Sequence, residues 1–190
     1  MTIRRTGAIL MMVLLFPGCG FLSRPKNQFY SLDTIPVQAP ARATVGGVPV
    51  GLDGIELPPG FDRRGIVLRG PDHKFEVRGT HQWASSLEEM VIHTLAFDLA
   101  SRLPEGMVIL PGHAKPAAMR SLFVTFEDLA PGPDQVFVLD ARWSITESGA
   151  PELTKHERIT IPLTSPDSTA IAAAMSQALA ELADRIVAAM

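Results

Sequence analysis

Ser121-Leu122-Phe123-Val124-Thr125-Phe126-Glu127-Asp128-Leu129 alternates strongly between apolar and polar side chains. A period of two is the pattern of a strand with one buried face. Gln135 to Thr146 follows as a second strand, long enough to cross a sheet. Thr154 to Leu163 returns as its partner after a turn at Gly149-Ala150-Pro151. Three consecutive strands then give way to a helix from about Pro166 to Met190. Ile171, Met175, Leu179, Leu182 and Ile186 form its apolar stripe. Ser165 is placed to cap this helix, and Pro166 suits the first helical position, where a missing N–H costs nothing. Its many alanines allow a close approach to a sheet or another helix.

Working upstream, Ala84 to Leu103 predicts a second helix. Leu87, Val91, Leu95 and Leu99 recur at i, i+4, and Met90 and Leu103 widen the stripe. Ser85 or Ser86 caps it, Glu88 and Glu89 suit its first turn, and Pro104 and Gly106 stop it. Before it lie a first strand at Asn27–Asp33, a loop at Thr34–Gly47, and a strand at Val48–Leu57. In that strand Val48, Val50, Leu52 and Leu57 are candidates for the buried face, and Gly54 marks a bulge. Gly65–Arg69 and Lys74–Arg78 form a hairpin about Pro71-Asp72, and Val108–Leu110 is a short strand. The order β, β, hairpin, α, β, β, β, β, α predicts an α/β domain: one mixed β-sheet with two long amphipathic helices packed on it.

The first residues are of another kind. Arg4 and Arg5 precede an apolar run, Ala8-Ile9-Leu10-Met11-Met12-Val13-Leu14-Leu15-Phe16, which ends at Pro17-Gly18-Cys19. A basic start, a short apolar core and a small-residue exit make a secretory signal. The run falls short of the ~20 apolar residues that span a bilayer. Cys19 is the chain's one cysteine and stands where the run ends. That placement resembles the lipobox of bacterial lipoproteins, although Phe16 and Pro17 depart from the preferred Leu and small residue. The organisation expected is a signal over residues 1–18, a lipidated tether over 19–26 and one domain over 27–190.

The whole chain has 190 residues and a net charge of −3. Removing residues 1–18 takes away Arg4 and Arg5 and no acid, which leaves 15 basic against 20 acidic residues, or −5. A nucleic-acid partner, which calls for a basic face, is not expected. No cysteine remains for a disulfide, so the fold rests on packing.

Few residues point to chemistry. His73, His81, His93, His113 and His156 show no ligand spacing, and no metal or cofactor is expected. There is no Gly-x-Ser-x-Gly elbow and no phosphate loop between a strand and a helix. The loop Phe61-Asp62-Arg63-Arg64 is a candidate partner-binding face. The competing reading is a surface Asp–Arg pair, worth little energetically. Trp83 is a candidate docking aromatic, although a tryptophan at a helix entry more often staples into the core.

Leu57-Pro58-Pro59-Gly60-Phe61-Asp62-Arg63-Arg64-Gly65-Ile66-Val67-Leu68-Arg69 resembles the L-P-x-Y-L-D-R-x-x-I-V-x-R segment of the ABC-type transport auxiliary lipoproteins, the PqiC/YmbA family. Gln82-Trp83-Ala84-Ser85-Ser86-Leu87 resembles its R-W-A-E-P-L helix entry. Phe29-Tyr30-Ser31-Leu32 and Ala174-Met175-Ser176-Gln177-Ala178-Leu179 fit as well. Gly60-Phe61 stands in place of Tyr-Leu, Gln82 in place of Arg, and Ser85-Ser86 in place of Glu-Pro. The resemblance implies an α/β lipoprotein without catalytic residues in a Gram-negative envelope. Its implied partners are an MCE-domain membrane protein with an ABC permease and ATPase, in phospholipid traffic. Gly20 after Cys19 favours the outer membrane over the inner by the enteric sorting rule. The expected function is therefore a non-enzymatic accessory subunit, anchored through Cys19 to the periplasmic face of the outer membrane, alone or as an oligomer. The alternative is a lipoprotein holding an acyl chain in a groove between the Ala84–Leu103 helix and the sheet.

Overall fold

The computed structural model describes residues 26–37, 47–70, 74–132, 134–147 and 150–190. The signal, Cys19, most of the tether and the turn at Pro71-Asp72 lie outside these residues. In chain order the elements are β1 (Gln28–Tyr30), β2 (Val50–Glu56), β3 (Gly65–Arg69), β4 (Phe75–Trp83), α1 (Leu87–Arg102), β5 (Val108–Ile109), β6 (Arg120–Pro131), β7 (Val136–Glu147), β8 (Ala150–Pro162) and α2 (Ser168–Ala189). The fold is α/β, with the expected order of elements.

One correction concerns the sheet. The strands divide into a five-stranded sheet, β5-β2-β6-β7-β8, and a three-stranded sheet, β1-β4-β3. β2 is parallel to both β5 and β6, so both of its edges are occupied. The β3–β4 hairpin pairs instead with β1, which runs parallel to β4. The pairing of β3 with β4 shifts after Gly65, where an added Cβ would stand 2.6 Å from Val77 Cγ1 and 3.0 Å from the Arg78 carbonyl oxygen. Only glycine allows that approach.

Leu122, Val124 and Phe126 point from β6 into the core, and Phe123 and Glu127 point outward. A register shift between Phe126 and Asp128 changes the phase, so Leu129 is again buried. The irregularity expected at Gly54 is present between Leu52 and Gly54. It brings Ile55 inward with Val50, whereas Val48, Leu52 and Leu57 are only partly buried. A strict alternation cannot anticipate which residue follows a bulge into the core.

Both helices pack on the five-stranded sheet and on each other. Leu87, Val91, Leu95 and Leu99 of α1 are buried, as are Ile171, Met175, Leu179, Leu182 and Ile186 of α2. Ala172, Ala174, Ala178, Ala180 and Ala183 are buried too, which brings α2 close to its neighbours. The α2 cap differs from expectation. Asp167, not Ser165, is the N-cap, and its Oδ1 accepts the Ala170 N–H at 2.8 Å. Pro166 lies before the helix, where its carbonyl accepts Arg78 Nη2 at 2.6 Å. The Ser165 hydroxyl donates to Asp167. A carboxylate is the stronger acceptor for a helix N-terminus, and these bonds hold the Asp167 carboxyl below its usual range, the serine first and the Ala170 N–H second.

The segment after β1 is fastened to both helices. Asp33 donates its N–H to Ser176 Oγ at 3.0 Å, and Ile35 donates to Asp98 Oδ1 at 2.8 Å. Arg102 donates to the Ile35 carbonyl at 3.2 Å and holds Asp184 through Nε at 2.7 Å. Residues 33–35, expected as strand end and loop, thus form a strap across α1 and α2.

Candidate functional site

Pro58-Pro59-Gly60 reverses the chain out of β2. Gly60 has φ +85°, a left-handed conformation that glycine adopts without penalty. Phe61 then donates its N–H to the Pro58 carbonyl at 3.1 Å, and Arg63 donates its own to the Phe61 carbonyl at 2.7 Å. Arg63 Nε returns to the Gly60 carbonyl at 2.9 Å. Main-chain bonds tie the entry to α1 to the loop and to β1. Trp83 N–H reaches the Arg64 carbonyl at 2.7 Å, and Ala84 N–H reaches the Tyr30 carbonyl at 2.8 Å. β1, the loop and the entry to α1 therefore meet at one place.

They enclose an open pocket of about 380 Å³, lined by Phe29, Asp62, Arg63, Arg64, Trp83, Ala84, Ser85 and Ser86. Ser86 occupies the N-cap of α1 but makes no cap bond. Its hydroxyl donates to Asp62 Oδ1 at 3.4 Å, which draws the expected cap into the pocket wall. Asp62, Arg63 and Arg64 are exposed, and neither arginine joins an ion pair among the described residues. Phe29, 63% exposed, stands at the rim. The loop presents two guanidinium groups and one carboxylate. Such a surface can pair with carboxylates of a partner through forked hydrogen bonds.

The sequence candidates separate here. Asp62 and Arg63 face solvent in the pocket. Phe61 does not: it is buried with Val67 and Ala130 and meets Phe75 edge-on, ring centroids 5.6 Å apart. Trp83 is also buried, packed in the main core beside Leu87. Trp83 thus takes the core-staple position that a helix entry favours, and Phe61, expected in the partner-binding loop, turns its ring inward. The bulk of both rings lies under the loop, where water is excluded. Cys19 lies outside the described residues.

Among the described residues, Val91, Leu95 and Leu99 of α1 are buried in the core. Where Phe61, Ile66, Trp83, Leu87, Leu129, Ile171 and Met175 converge, the free volume is about 10 Å³. That is about the room of a single water-sized probe, far below an acyl chain.

Two further clusters were not legible in the sequence. Glu127, Asp140 and His156, on three neighbouring strands, bring ligand atoms within 4.8 Å of one another. Arg142 donates to Glu127 at 2.5 Å and Arg158 to Asp140 at 2.8 Å. Each carboxylate thus has its own cation, and the group forms an ion-pair ladder on the open side of the sheet. The register Asp140↔Arg158 and Arg142↔His156 creates it. The second cluster is Asp98–Arg102–Asp184, the floor of the strap. Burial pushes the Asp98 carboxyl up to about 6, against the lowering effects of the Ile35 N–H and Arg102. Its i, i+4 spacing to Arg102 was a signal, but a helix surface pair gives the same spacing.

A family model described as ABC-type transport auxiliary lipoprotein component matches residues 30–187. The chain belongs to that family. The match takes in the strap, the pocket loop and both helices. A crystal structure of an uncharacterized protein is similar, with TM-score 0.71, 17% identity, and 86% of this chain and 97% of that one covered. A second, of a protein from Xanthomonas campestris, has TM-score 0.68 and 15% identity and covers 84% of this chain and 92% of that one. At such identities they show a shared fold alone. No curated protein matches the chain. The family's description makes this an auxiliary lipoprotein of ABC-type transport. No helix among the described residues is long and apolar enough to cross a membrane.

Proposed function

We propose that the chain is a non-enzymatic accessory subunit of an MCE-type ABC lipid transport system, anchored by acylated Cys19 to the periplasmic face of the outer membrane. The observation that carries the reading is the family match over residues 30–187, in a chain whose one cysteine follows a short apolar run. On this reading the domain receives an MCE-domain protein, which with its permease and ATPase moves phospholipid between the membranes. The Asp62–Arg64 loop meets that partner. Its two arginines are exposed and unpaired among the described residues, and its backbone is held by two bonds within the turn and one to Trp83, so little ordering entropy is lost on binding. The burial of Val91, Leu95 and Leu99 along α1 favours a docking subunit over a carrier that holds the lipid itself.

The test is capture from detergent-solubilised envelopes. Arg63→Glu reverses a charge that holds nothing but its own loop carbonyl. The variant is expected to fold normally, by circular dichroism and melting, and to recover much less MCE-domain protein than the parent chain. Undiminished capture by the folded variant would remove the loop from the interface. Stoichiometric lipid without a protein partner would favour the carrier.

A further inference from the structure

The three-stranded sheet exposes apolar side chains outside the pocket lining. Phe75 is 55% and Val77 42% exposed at the start of β4. The register pairs Arg69 with Phe75 and Val67 with Val77, so these four side chains share one face of the hairpin. Glu76 falls on the other. The Arg69 guanidinium carbon lies 6.0 Å from the Phe75 ring centroid, and Asp128 holds Arg69 at 2.9 Å. Lys74 is exposed beside them. An exposed aromatic ring beside a lysine suits the boundary between water and lipid, where the ring enters the apolar layer and the Lys74 ammonium reaches phosphates, while Arg69 stays paired with Asp128.

The topology gives the end of the sheet from which the chain enters β1. β1 is parallel to β4, with Gln28 beside His81. The chain before Gln28 therefore enters from the end of the sheet where β3 finishes and β4 begins. From His81 back to Phe75 is six residues, at most about 20 Å along a strand. From Cys19 to Gln28 is nine residues, which span at most about 30 Å. A lipid carried by Cys19 can thus lie in a bilayer that touches the hairpin end. The pocket-lining residues Trp83 to Ser86 lie at and beyond the other end of β4.

We propose that Arg69, Lys74, Phe75 and Val77 rest on the phospholipid surface that holds the N-terminal anchor, with Phe75 as the inserting side chain. This builds on the reading of Cys19 as acylated. An acyl anchor alone leaves the domain free to turn; a second contact fixes which way the pocket faces.

The test uses the full-length chain purified from envelopes and reconstituted in vesicles of phosphatidylethanolamine and phosphatidylglycerol with brominated acyl chains. Phe75→Trp and Val77→Trp each place an indole on the proposed surface. Phe123→Trp places one on the outer face of the larger sheet, where Phe123 is 44% exposed. The native Trp83 and Trp143 are buried and serve as internal background. Lipid quenching several-fold stronger at positions 75 and 77 than at 123 is the expected result. Equal quenching at all three, or none at 75 and 77 in a chain that floats with the vesicles, overturns this inference alone. Protection of position 75 from aqueous acrylamide without lipid quenching does the same and shows a protein covering it. A chain that does not float with the vesicles overturns the anchored reading, and this inference with it.

Discussion

Replacing Asp98 with Asn separates burial from charge pairing beneath the strap. Asp98 is fully buried. Its Oδ1 accepts the Ile35 N–H at 2.8 Å, and its Oδ2 is buried without a hydrogen-bond partner. Arg102 lies 3.7 Å away, but its nearest carboxylate is that of Asp184. Burial lifts the Asp98 carboxyl from 3.8 to about 6, so the folded chain holds its proton more tightly than the unfolded chain. The resulting stability is complete below about pH 3.8, declines as the pH rises, and is gone above about 6. Two pKa units correspond to about 3 kcal/mol. Asparagine is neutral at every pH and keeps the oxygen that Ile35 needs. Asp98→Asn should therefore equal the parent near pH 4 and exceed it by about 2–3 kcal/mol at pH 8. Urea unfolding followed by tryptophan fluorescence between pH 4 and 8 measures this. A variant weaker than the parent at pH 8, or a difference independent of pH, would show that pairing with Arg102 outweighs burial.

Three other outcomes are expected. Cys19→Ala should move the protein from the membrane to the soluble fraction on fractionation of cells; retention on the membrane would remove the anchor. Trp83→Ala should cost about 3–5 kcal/mol in denaturant unfolding, the usual price of truncating a buried aromatic, whereas a docking aromatic would lose partner capture with little loss of stability. Asp167→Ala should lower the melting temperature more than Ser165→Ala, because Asp167 accepts the Ala170 N–H and Ser165 acts only through Asp167.

Element type was legible wherever a period ran long enough. Leu122-Val124-Phe126 and Leu87-Val91-Leu95-Leu99 each name a face, and burial of that face drives the element to form. The family resemblance was also written in local runs, since Asp62-Arg63 and Trp83-Ala84 are short and contiguous. Local patterns thus establish the order of strands and helices, the stripes they bury, and the loop that faces solvent. The tertiary structure decided the split into two sheets, because strand pairing depends on which edges are already taken. It decided the burial of Phe61 and Trp83, since an aromatic beside charges reads alike whether it lies over or under its loop. It decided the cap of α2, where Asp167 accepts the Ala170 N–H and Ser165 only donates to Asp167. It also decided the strap, whose bonds join Asp33 to Ser176 and Ile35 to Asp98 across separations no local pattern records. Short-range periodicity is fixed by backbone geometry, but long-range contacts are chosen among many partners, and only the packed chain selects them.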